Sequence, residues 1–211
     1  MPKSKKNILT DPDTVKAGRK KRDSKASNPE QSTAQPEQTS PSAANKEKGF
    51  FIVGMGASAG GLEAFEQFFS HIPPDKGMAF VLIQHILPGY KSIMVDILKK
   101  YTRMKVLQIE DGMQIEPNCV YIKPSDKDAT ISNRILHLAE SPISHGFKHP
   151  IDSFFQSLAK DQAEKAICII LSGTGTDGTL GLKAIKDAGG MTMVQEEKSA
   201  EFGGMPASAI E

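Results

Sequence analysis

The chain has 211 residues with 26 Lys+Arg, 25 Asp+Glu, two cysteines and a net charge of +1. No run approaches the roughly 20 apolar residues of a membrane span, and the N-terminus lacks the apolar core of a secretory signal. Two cysteines far apart, Cys119 and Cys168, exclude a cysteine metal cluster and read as buried free thiols of a reducing compartment, so a cytoplasmic protein is expected.

Charge and composition divide the chain in two. Residues 1–48 carry a net +5 and residues 49–211 a net −4. Within the first part, 31–44 consists of Ser, Thr, Pro, Gln, Ala and Glu and shows no apolar period. Such a segment buries too little apolar surface to offset its ordering entropy, so 1–48 is expected to be a disordered basic linker. It holds no aromatic residue for stacking on bases, which argues against nucleic-acid recognition. One domain, 49–211, remains.

In that domain, 50–53 reads as a short apolar strand leading to Gly54-Met55-Gly56-Ala57-Ser58-Ala59-Gly60-Gly61, and 62–70 has the apolar spacing of a helix, closed by Pro73-Pro74. A buried strand at 78–84, a helix at 92–101, a strand at 166–171, a helix at 178–187 and a strand at 191–194 follow the same alternation. Continuous apolar strands between helices imply a doubly wound, mainly parallel α/β sheet with helices on both faces. The middle differs. Short runs at 106–109, 119–122, 129–132 and 135–138, separated by Asp111-Gly112, Pro117-Asn118 and Ser132-Asn133, are expected to form antiparallel hairpins inserted in the sheet or added at its edge. A helix over 149–163 begins with Pro150 in its first turn. The run 205–211 reads as the opening turns of a last helix, and the domain is expected to be shortened at its C-terminus.

The residues 54–60 satisfy two patterns. Gly56-Ala57-Ser58-Ala59-Gly60 is G-x-S-x-G, a nucleophile elbow, whereas Gly54-Met55-Gly56-Ala57-Ser58-Ala59 is G-x-G-x-x-A, a dinucleotide fingerprint. A dinucleotide fold needs Asp or Glu at the end of its second strand to bind ribose, and Gln84 and His85 stand there instead. Ligands of an open parallel sheet bind outside the carboxyl ends of its strands. Ser58 leaves the first such end, His85 the second, and Asp177 the strand at 166–171 through Ser172-Gly173-Thr174-Gly175-Thr176-Asp177-Gly178. Nucleophile, base and carboxylate at one sheet edge are the parts of a Ser-His-Asp site, with an oxyanion hole expected from the amide of Ala59 or one in 173–175. Taken singly each has a plainer use: Ser58 and Asp177 as helix caps, His85 as a hydrogen-bonded strand end. His71, His137, His145 and His149 are expected to be structural or solvated. No cofactor and no metal is expected.

Gly56–Gly61, Gln84-His85-Ile86-Leu87-Pro88-Gly89, Asp111-Gly112, His149-Pro150-Ile151-Asp152 and 172–178 together resemble the catalytic domain of the bacterial chemotaxis protein-glutamate methylesterases, the CheB type, over about 50–211. The resemblance implies Ser58 as nucleophile, His85 as general base and Asp177 as orienting acid. The implied reaction is hydrolysis of glutamate γ-methyl esters on chemoreceptor helices, with glutamine deamidation in many members. Ala59, Thr174 and Thr176 depart from the usual threonine, methionine and asparagine and are similar to variants fused to methyltransferase domains in hybrid sensory proteins. That similarity brings methyltransferase or sensor proteins in as partners beside the receptors. The family's receiver domain has no counterpart in 1–48, so control through a receiver in this chain is not expected. The rival expectation is an idle domain of this fold that binds a sensory partner.

Overall fold

The computed structural model describes residues 49–85, 93–140 and 149–211. The expected linker 1–48, the end of the His85 loop and His145 lie outside them. Strand β1 (Ile52–Ala57) is followed by α1 (Gly61–His71), β2 (Ala79–Gln84), α2 (Met94–Leu98), β3 (Lys105–Gln108), β4 (Met113–Gln114), β5 (Cys119–Ile122), β6 (Lys127–Ser132) and β7 (Ile135–Glu140). Then come α3 (Pro150–Gln162), β8 (Ala166–Ile170), α4 (Thr179–Asp187), β9 (Met191–Val194) and α5 (Gly204–Ile210).

Six strands form one parallel sheet in the order β3-β5-β2-β1-β8-β9, and β4-β7-β6 form a small antiparallel one. Alternation along β1 separates the two cores. Val53, Met55 and Ala57 pack with Phe65 and Phe69 of α1 and Leu98 of α2, while Ile52 lies on the opposite face with Ile151, Phe155 and Leu158 of α3 and Ile185 of α4. Helices therefore cover both faces, as expected of a doubly wound sheet.

Two expectations need correction. The runs at 106–109 and 119–122 are not hairpin strands: β3 pairs with β5, and β5 with β2, in parallel register inside the main sheet. Four-residue strands flanked by turn residues look alike in either setting, and only their partners distinguish them. The hairpin reading holds for β6 and β7, where Asn133 and Arg134 both take positive φ (53° and 59°), the geometry of a two-residue turn whose twist matches the strands. That sheet packs on α3, with Ala129, Ile131 and Leu136 joining the α3 core, and is not an edge of the main sheet.

The glycines of β1 also have a use the sequence did not suggest. Strand β1 runs four residues beyond the expected 50–53, through Gly54 and Gly56, and both face α3. A Cβ on Gly56 would stand 2.5 Å from Ile151 Cγ2, and one on Gly54 would stand 3.0 Å from Phe155 Cε1. Their lack of a side chain lets α3 lie directly on the central strand.

Candidate functional site

Because β1 lies between β2 and β8, its carboxyl end is flanked by both neighbours. Ala57 is in register with Gln84, and the ladder continues one residue further: His85 N–H donates to Ala57 O at 3.1 Å, and Ser58 N–H donates to Ser172 O at 3.0 Å. Ser58 and His85 thus emerge side by side. The turn at Ser58 is pinned from two sides. Gln84 Nε2 donates to Ser58 O at 3.3 Å, and the buried Ser172 hydroxyl donates to Ala59 O at 2.8 Å while accepting from Phe202 N–H at 3.0 Å. Gly60 then takes φ 69°, a left-handed conformation open to glycine, and starts α1.

Neither capping role holds. The N-cap of α1 is Gly60, not Ser58, and no side chain caps it. Among the described residues the Ser58 hydroxyl makes no hydrogen bond. The N-cap of α4 is Gly178, while the Asp177 carboxylate turns away from α4 toward the start of α3.

There it meets three N–H groups. Pro150 at the first turn has no N–H to offer, and Asp177 accepts the next two orphan amides, Ile151 N–H on Oδ2 at 3.0 Å and Asp152 N–H on Oδ1 at 2.9 Å. Oδ2 also meets His85 Nε2 at 2.7 Å. A carboxylate only accepts, so Nε2 carries the proton and Nδ1 of the neutral ring is the basic nitrogen. His85 is about one-third exposed and Asp177 is buried, so the pair faces solvent through the imidazole.

Two further residues, neither expected in the site, stand beside this pair. Asp152, buried in the first turn of α3, accepts from Gly178 N–H at 3.0 Å and Gly181 N–H at 2.7 Å with Oδ1. Burial lifts its carboxyl above the ordinary range; the Gly181 amide opposes this, the neighbouring Asp177 charge adds to it, and the Gly178 amide and His149 oppose it in turn. His149, expected to be structural or solvated, is half-exposed, with Nδ1 3.7 Å from Asp177 Oδ1 and 3.8 Å from Asp152 Oδ2. Asp152 was legible only as part of the His149-Pro150-Ile151-Asp152 run. His149, Asp152 and Asp177 bring one nitrogen and two oxygens within 4.8 Å of one another, a spacing a metal ion can bridge. However, both Asp177 oxygens and Asp152 Oδ1 already accept N–H groups, so an ion would compete with two helix starts.

Of the expected oxyanion donors, Gly173 N–H is occupied by Phe202 O at 2.9 Å. Ala59 N–H has no partner among the described residues and adjoins Ser58. A groove of about 570 Å³ between α3 and the β6–β7 hairpin, lined by Thr130, Ser132, Ser153, Lys160 and Asp161 among others, contains none of these residues.

Fold and site together define a doubly wound α/β protein that carries, at the carboxyl edge of its sheet, the side-chain set used by acyl-transfer hydrolases. A family model described as CheB methylesterase matches residues 53–211, and the chain belongs to that family. Protein-glutamate methylesterase/protein-glutamine glutaminase 1 of Carboxydothermus hydrogenoformans is 34% identical over 167 residues, covering 76% of this chain and 49% of the relative. The protein of that type from Escherichia coli K12 is 32% identical over 163 residues, covering 75% of this chain and 46% of its own length. This chain therefore spans about half the length of these curated relatives. The solved Thermotoga maritima CheB methylesterase catalytic domain superposes with a TM-score of 0.69 at 28% identity, covering 77% of this chain and 88% of that one.

Proposed function

We propose that this chain is a carboxyl-ester hydrolase acting on glutamate γ-methyl esters, with Ser58 as nucleophile, His85 as general base and Asp177 as the carboxylate that orients it. The observation that carries this reading is the 2.7 Å His85–Asp177 hydrogen bond across the end of β1, next to a serine whose hydroxyl has no structural partner among the described residues. In this mechanism His85 Nδ1 takes the Ser58 Oγ proton as Oγ attacks the ester carbonyl. The tetrahedral oxyanion is met by Ala59 N–H, His85 returns the proton to the departing oxygen, and methanol leaves an acyl-serine. Water, deprotonated by the same imidazole, then releases glutamate. Asp177 keeps Nε2 protonated and stabilises the imidazolium without taking its proton.

The relatives' names supply a protein glutamate methyl ester as the proposed substrate; the resemblance to the CheB type makes a receptor helix its proposed carrier, with chemotaxis-type signalling in the cytoplasm as the proposed setting. Receptors are its protein partners, with methyltransferase or sensor proteins as further ones. No helix among the described residues is long and apolar enough to cross a membrane. Glutamine deamidation uses the same acyl-serine, with ammonia in place of methanol. The test is methanol release from a receptor-helix peptide bearing the ester: Ser58→Ala should abolish it in a folded protein, and full activity in that variant would refute the mechanism.

A further inference from the structure

The reaction above makes no use of the second buried carboxylate. Asp152 and Asp177 nevertheless exchange contacts across the start of two helices. Asp177, which precedes α4, accepts the first-turn amides of α3, and Asp152, in the first turn of α3, accepts the amides of Gly178 and Gly181 at the start of α4. Gly178 directly follows Asp177, at φ 100°. A hold on its N–H therefore fixes the peptide plane on the far side of the Asp177 Cα, while the Asp152 N–H holds the Asp177 carboxylate itself. Backbone and side chain of Asp177 are thus both referred to one residue.

The arrangement costs something. Two neighbouring buried carboxylates repel, and an apolar residue with the same packing would avoid that repulsion. The return lies in geometry: the His85 bond accepts little error, because catalytic positioning loses about 10²-fold in rate for a 1 Å displacement.

We propose that Asp152 is a positioning residue for ester hydrolysis, acting on His85 through Asp177 without touching substrate. The proposal rests on the assignment of Ser58, His85 and Asp177 given above.

The test compares kcat and KM for methanol release by wild type, Ser58→Ala, Asp152→Ala and Asp152→Asn, each assayed well below its own thermal midpoint. Asp152→Ala should lower kcat about 10²-fold with KM nearly unchanged, because the substrate surface is intact. Asp152→Asn, whose amide oxygen still accepts from Gly178 and Gly181, should recover most of that loss. A mere loss of fold would lower the amount of active enzyme without such a rescue. If Asp152→Ala does not fold, Asp152→Glu replaces it: the charge stays, the longer stem moves the acceptor, and the same fall in kcat is expected. Wild-type kcat in folded Asp152→Ala or Asp152→Glu, or equal impairment of the Ala and Asn variants, overturns the inference. No methanol release by wild type, or undiminished release by Ser58→Ala, instead refutes the underlying assignment and this inference with it.

Discussion

Ser58 and Asp177 stand in one proposed site but are bound into the protein differently, and their alanine variants should separate. Ser58→Ala removes a hydroxyl with no hydrogen bond among the described residues, so stability should stay within about 0.5 kcal/mol of wild type. Asp177→Ala strands the Ile151 and Asp152 amides, each buried donor costing ~1–3 kcal/mol, and should shift the urea midpoint clearly downward. Equal midpoints would contradict the cap geometry. The three proposed residues were legible in the sequence because strand ends announce themselves: an apolar run stops, and a reactive side chain follows. Asp152 and His149 were not legible as site residues. Their part depends on α3 starting beside the loop that ends at Asp177, about 25 positions further along the chain, a contact without any local signal.

At the level of elements, the same limit explains what was read correctly and what was not. Strands β1, β2 and β8 are long and apolar enough to be recognised alone, and β9 is placed by the helix that precedes it, whereas β3 and β5 borrow their identity from the strands they join. The G-x-G of β1 suggested a phosphate cradle, yet its glycines make room for α3. Gly56→Ala should accordingly destabilise the fold by about 1–3 kcal/mol through its clash with Ile151, measurable by denaturant unfolding; an unchanged midpoint would mean that α3 can lift away freely. The β6–β7 turn gives an independent check on the smaller sheet. Asp161 on α3 accepts the N–H groups of both Asn133 and Arg134, the two left-handed residues. Asp161→Ala should lower the melting temperature while leaving kcat for methanol release unaltered, since the hairpin turn lies away from Ser58.

Over the whole domain, burial makes two probes of stability available. Cys119 and Cys168 are free and buried, and desolvation pushes the Cys168 thiol well above its usual range. Both should react with an aromatic disulfide reagent only as fast as the domain opens, so labelling rates should rise with denaturant; rapid labelling in buffer would place them outside the core. The second probe is pH. Asp152 binds its proton more tightly folded than unfolded, so its contribution to stability is complete below the ordinary Asp value of 3.8 and is lost as pH rises through the raised folded value. Asp152→Asn should remove that step from the curve of unfolding free energy against pH. The cap that Asp177 supplies to α3 also bears on descent. A lineage that ceased to cleave esters would still be selected to keep Asp177, because α3 begins on its carboxylate, whereas Ser58 would be released to drift. Replacement at the position of Ser58, and not at that of Asp177, is therefore the mark by which a relative that has become a binding domain should be told from a working enzyme.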